Sequence, residues 1–84
     1  MNMYFVYILH SSQYNRYYIG STGNIEDRVN RHNDGATKST KPFRPWVLVY
    51  QENFETRTEA RKRENQIKKF KRGRAFEQLF KHDG

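Results

Sequence analysis

The chain has 84 residues, 35% hydrophobic and 30% charged, with a formal net charge of +7; that is one small domain with a thin core. Six Tyr, six Phe and one Trp argue against disorder despite a mean hydropathy of −1.14, because each ring buries a large apolar surface. The absence of cysteine excludes a disulfide framework and a thiolate nucleophile, and the longest apolar run, residues 3–9, is too short for a membrane span or a signal-peptide core, so a cytoplasmic protein is expected.

Residues 3–10 (MYFVYILH) are apolar and β-favouring on both faces, which predicts a strand at the centre of a sheet. Residues 11–15 are polar turn material, and residues 16–21 (RYYIGS) read as a second strand completing a hairpin. If the loop is residues 11–14, Tyr7 faces Tyr18 directly and two phenols project side by side. Asn24 is a suitable N-cap with Asp27 three residues on, and Gly35 closes a helix predicted over residues 25–34. Residues 35–45 form a loop carrying Lys38, Lys41 and Arg44, and residues 46–54 (WVLVYQENF) are a third strand. Thr56 and Glu59 make a capping box for a helix running to about residue 70. Phe76, Leu79 and Phe80, at i, i+3 and i+4, predict a short third helix over residues 74–81. The order ββαβαα predicts an α+β fold, a single domain over residues 1–84: a small three-stranded, mostly antiparallel sheet flanked by helices.

The charge is concentrated. Residues 1–56 are net +1 and residues 75–84 net −1, so residues 57–74 hold the whole excess, at net +7. Such a local field suits a polyanion, and nucleic-acid backbone is the commonest one inside cells; a solvated helix face that only confers solubility accounts for the same run. Arg61, Lys62, Lys68 and Lys69 are the expected backbone contacts from this segment. Lys38, Lys41 and Arg44 are expected to add phosphate contacts from the loop, with Ser39 and Thr40 suited to the same task; a mobile surface loop accounts equally for the same residues.

Two helices carry polar residues where their apolar stripes should run. On the first, the inward positions are Ile25, Arg28, Val29 and His32; on the second they are Ala60, Glu64, Ile67 and Phe70 or Lys71. An unpaired buried charge is costly, so Arg28 and Glu64 must face a partner, a cleft or a metal. An internal Arg28–Glu64 ion pair with His32 as a satisfied surface histidine explains the three as well as a functional site does. Trp46 is expected to anchor the loop, and His10 to lie on the strand face away from the phenols.

The ordered set Phe5-Val6-Tyr7, Tyr18-Ile19-Gly20, Arg28, His32 and Glu64 within Glu-Asn-Gln-Ile-Lys resembles the GIY-YIG nuclease superfamily. It looks closest to the short, stand-alone, single-domain bacterial branch, similar to the amino-terminal nuclease domain of an excinuclease. The resemblance spans roughly residues 3–70; the first triplet departs from it by lacking its namesake glycine and isoleucine. It implies a metal-dependent endonuclease hydrolysing phosphodiester bonds in DNA, with structure-specific cutting in repair or recombination as the setting. In that family the helices bring arginine, histidine and glutamate to one concave face beside the two tyrosines.

Carried over by position, Tyr7 is the general base or the phenol that positions the nucleophile, and Tyr18 orients water or phosphate. Gly20 lets backbone approach the substrate, its missing Cβ being the reason for that residue. Arg28 neutralises charge on the scissile phosphate, His32 assists proton transfer, and Glu64 ligates a single Mg²⁺ or Mn²⁺. The partner implied is nucleic acid, DNA by resemblance, with neither membrane nor small-molecule cofactor, and with a protein partner left open. Two other readings stand beside it: a non-catalytic nucleic-acid-binding module of the same fold, and a partner-binding protein whose basic helix docks on an acidic surface.

Overall fold

The computed structural model describes residues 3–71 and 73–79. Its sheet is built around β1 (Tyr4–Ser11), which pairs antiparallel with β2 (Arg16–Thr22) on one side and β3 (Val47–Phe54) on the other, giving the order β2-β1-β3. The strand that is apolar on both faces is the central one, because only there are both faces covered. Val6 and Ile8 pack with Ile19, Ala60, Ile67 and Phe76, while Tyr7 and Leu9 pack with Trp46, Val29 and Phe43. Successive side chains of a strand point to opposite faces, so the sheet lies between two cores. Helices α2 (Arg57–Lys69) and α3 (Arg74–Gln78) cover one face. Helix α1 (Ile25–Asp34) and a 3₁₀ turn (Lys41–Phe43) cover the other.

The helix boundaries follow from their caps. The Asn24 side chain accepts the Asp27 N–H at 3.0 Å, and Gly35 ends α1 at φ 82°, a left-handed conformation open to glycine. The Thr56 hydroxyl accepts the Glu59 N–H and donates to the Glu59 carboxylate, and α2 begins at the next residue. Arg63 clamps α2 to β3 through a two-pronged pair with Glu52 at 2.9–3.2 Å.

Three local features differ from the sequence-based expectation. The hairpin loop is residues 12–15, one residue later than predicted, with Asn15 at φ 49° and Ser11 opposite Arg16. Tyr7 therefore faces Gly20, and Tyr18 faces Leu9. Moving the loop by one residue slides the register by two, which keeps every side chain on its face and changes only its neighbour. The predicted loop 35–45 contains the 3₁₀ turn, and β3 starts one residue later than predicted. Helix α3 is described to Gln78, and the predicted continuation through residues 80 and 81 lies outside the described residues.

Candidate active site at the edge of strand β2

Tyr7 is fully buried (0% exposed) and lies across Gly20 on the neighbouring strand. A Cβ at Gly20 would sit 2.5 Å from the Tyr7 phenol oxygen and 2.7 Å from its Cζ, and 3.1 Å from Tyr18 Cε2. The missing side chain is thus filled by the Tyr7 phenol, which reaches over β2 towards the open edge of the sheet. Tyr18 shares that face, its ring 6.2 Å from Tyr7 and 4.6 Å from His32, so the phenols meet diagonally rather than directly opposed.

Helix α1 supplies His32 and Arg28. His32 is 1% exposed, and its Nε2 lies 3.3 Å from the Tyr7 phenol oxygen. Burial pushes the Tyr7 phenol well above its usual range; Tyr18 and Glu64 add to the rise, and the Arg28 guanidinium opposes it by charge and by hydrogen bond. His32 is held below its ordinary value, first by burial and then by Arg28. At neutral pH the pair is therefore a protonated phenol and an uncharged imidazole.

That assignment fixes a sign. An unfolded histidine titrates near about 6.5, and the folded one below it, so between those values the unfolded chain binds more protons and stability rises with pH. Acidification from about pH 7.5 to about pH 5.5 is expected to lower the urea midpoint of the wild type, and to lower that of His32→Gln less. An equal fall in both proteins would remove His32 as the source.

Glu64 comes from α2, on the opposite side of the sheet. Its Oε1 accepts the Ser21 hydroxyl at 2.6 Å, and its Oε2 pairs with the Lys68 ammonium at 2.7 Å. The internal Arg28–Glu64 ion pair is not formed among the described residues; Arg28 Nε is instead buried without a partner. Tyr7, Tyr18 and His32 thus lie on the α1 side of the sheet, and Glu64 reaches strand β2 at Ser21 from α2.

Arg28 also lines a cavity of about 220 Å³ with Ser21, Thr22, Gly23, Tyr4, Arg57 and Arg61. Three guanidinium groups around one opening suit an anion. Arg61 thus joins the site, as does Arg57, whose guanidinium sits 5.5 Å from the Tyr4 ring centre. Lys38, Lys41, Arg44, Lys62 and Lys69 lie outside this opening, with Arg44 Nε donating to the Lys41 carbonyl at 2.9 Å. Lys68 is turned to Glu64.

Sequence reasoning assigned Arg57, Ser21 and Thr40 no role at this centre. Arg57 belongs to the basic segment 57–74, but a strand serine and a loop threonine break no pattern. Thr40 in particular is 3% exposed, so it is not a surface clamp for phosphate: its hydroxyl lies 2.9 Å from His32 Nδ1. Trp46, 4% exposed, donates its indole N–H to the Thr40 carbonyl at 2.9 Å and anchors the loop. His10 stacks on Tyr17 at 4.5 Å, away from the phenols.

A carboxylate such as Glu64 offers the oxygen donors that a hard divalent ion takes. The carboxylate is 14% exposed, stands beside the Ser21 hydroxyl, and already holds a cationic group on Oε2. Among the described residues no three His, Asp or Glu side chains gather, so a single carboxylate with water and substrate oxygens would have to complete the shell. No helix of the described residues is long and apolar enough to cross a membrane.

The sequence profile of the GIY-YIG catalytic domain matches residues 3–77. A UPF0213 protein of Staphylococcus haemolyticus is 47% identical over 73 residues, covering 86% of this chain and 88% of its own. One from Staphylococcus aureus is 45% identical over the same shares. The solution NMR structure of the UPF0213 protein of Bacillus halodurans superposes with a TM-score of 0.57 at 32% identity, over 92% of this chain and 81% of that one.

Proposed function

The chain belongs to the GIY-YIG catalytic-domain family, and from that premise we propose that it is a metal-dependent endonuclease of DNA, with residues 1–84 acting as a single nuclease domain. The observation that carries the reading is the buried Tyr7–His32 contact set beside Arg28, a residue that also lines an arginine-rich opening.

The scissile phosphate sits in that opening. Arg28 lies where charge builds as a water oxygen attacks phosphorus and the bond to the leaving oxygen breaks, and Arg57 and Arg61 hold the flanking backbone. Tyr7 is fully buried and does not line that opening, so its phenol must come within reach of the water on substrate binding; it then takes the water's proton while passing its own to His32 Nε2. The two transfers run together because a free phenolate at a fully buried position is too costly to form first. The imidazolium so formed is tolerated while the substrate's negative charge is alongside. The leaving oxygen departs with the bonding pair and takes a proton from solvent, and His32 gives its extra proton back through Tyr7 to solvent as the product leaves. Tyr18, its ring tilted against His32 on the same face, orients the water. Glu64 would hold the divalent ion, with Ser21 beside it, and the ion would supply Lewis-acid stabilisation of the phosphate oxygens. The basic residues of α2 supply sequence-independent affinity, so binding weakens steeply with salt.

The test is cleavage of labelled duplex, single-stranded, flap, splayed and four-way-junction DNA with Mg²⁺ or Mn²⁺, beside Glu64→Ala. Metal-dependent cutting by the wild type, reduced at least about 10²-fold in the variant while DNA is still bound, is the expected result. Salt-sensitive binding with no cutting of any substrate would leave a binding module in its place.

A further inference from the structure

We infer that Thr40 is a positioning residue that selects the tautomer of His32 and thereby the direction in which the Tyr7 proton can move; the catalytic consequence rests on the nuclease reading above. Counting the protons leads there. A threonine hydroxyl carries one proton, and the geometry directs that of Thr40 to the Thr37 carbonyl at 3.3 Å, an oxygen that also takes the Thr40 and Lys41 N–H groups at 3.2 and 3.0 Å. Its oxygen can then only accept from His32 Nδ1, 2.9 Å away, so Nδ1 is the protonated nitrogen. An uncharged imidazole has one N–H, which leaves Nε2 bare and facing the Tyr7 phenol at 3.3 Å. The chain therefore runs Tyr7 O–H to His32 Nε2, His32 Nδ1–H to Thr40, and Thr40 O–H to Thr37.

Thr40 is itself held in place. Its N–H bonds the Thr37 carbonyl at 3.2 Å, and its carbonyl receives the Trp46 indole N–H. The Trp46 backbone exchanges two bonds with the Asn33 side chain, at 2.6 and 3.0 Å, and Asn33 is the next residue after His32 on α1. The histidine and the group that reads its proton are thus fixed to the same scaffold. With His32 at 1% and Thr40 at 3% exposure, water does not readily replace the hydroxyl. If that hydroxyl is removed, the buried Nδ1–H has no acceptor. The alternative tautomer, with Nε2–H donating to the Tyr7 oxygen, then becomes the satisfied one, and it cannot accept the phenol proton.

The experiment compares wild type, Thr40→Val and Thr40→Ser by ¹⁵N NMR of the histidine ring nitrogens, with the backbone amide spectrum as a check on folding. The wild type and Thr40→Ser should show His32 protonated at Nδ1, and Thr40→Val should show it shifted to Nε2 or averaged between the two. In cleavage assays Thr40→Val should lose on the order of 10²-fold in kcat with KM little changed, and Thr40→Ser should recover most of it. A wild-type ring protonated at Nε2, or a folded Thr40→Val that keeps the Nδ1 proton, would overturn the inference. Because the NMR readout needs no substrate, an inactive wild type showing the expected tautomers would sink the nuclease reading and leave the role of Thr40 standing.

Discussion

Replacing Tyr7 with phenylalanine is expected to abolish most cleavage while leaving the fold and the affinity for DNA nearly intact. The ring keeps its place over Gly20 and its contacts with Leu9 and Trp46, so the packing survives. The loss to stability is the phenol's hydrogen bonds with the His32 imidazole and the Arg28 guanidinium, about 1 kcal/mol each. The phenol is 0% exposed and is not part of the basic surface, so binding should change little. Chemistry, in contrast, loses both the acceptor for the water proton and the donor to His32. General-base groups contribute about 10²–10⁴-fold, and kcat should fall within that range at unchanged metal affinity. Measuring kcat, DNA affinity and Mn²⁺ binding on one preparation separates this result from a Glu64 variant, where metal binding goes as well. A Tyr7→Phe protein that cuts within tenfold of wild type would show that another group takes the proton.

The part of this site that was legible in the sequence is the part that breaks a pattern. Arg28, His32 and Glu64 stand out because they occupy apolar stripes: His32 meets the Tyr7 and Tyr18 side chains, Arg28 lines the opening beside Ser21 and Thr22, and Glu64 reaches Ser21 from α2. Caps were equally readable, since Asn24 and Thr56 satisfy local N–H groups that any helix start leaves open. The register was not. A hairpin closed one residue earlier preserves the same hydrophobic alternation, so nothing local decides between Tyr18 and Gly20 as the partner of Tyr7. Thr40 and Ser21 were invisible for a different reason. Their contacts join residues 8 and 43 positions apart in sequence, and a single threonine or serine has no period to violate.

The register is also what gives Gly20 its meaning, and Gly20→Ala is expected to have the largest combined effect on stability and activity. The sequence suggests that this glycine admits substrate; the structure gives it a nearer neighbour, because the space of its Cβ is taken by Tyr7 Oη at 2.5 Å and Cζ at 2.7 Å. Real side chains do not approach so closely. Tyr7 is fully buried and cannot swing into solvent, so either the ring or the β1–β2 pairing must shift. Overpacking of this kind costs about 1–3 kcal/mol. In a domain of this size that lowers Tm by on the order of 10 °C. The displaced phenol also leaves His32 Nε2, and a misplacement of about 1 Å is enough for a loss on the order of 10²-fold in rate. The cause can be isolated by a double-mutant cycle with Tyr7→Ala. Once the ring is gone the added methyl meets only the edge of the Tyr18 ring at 3.1 Å, so Gly20→Ala should cost less on that background, giving a coupling energy of about 1–3 kcal/mol. Equal costs on both backgrounds would mean that the glycine serves β2's own backbone, or a substrate passing over it, and not the tyrosine lying across it.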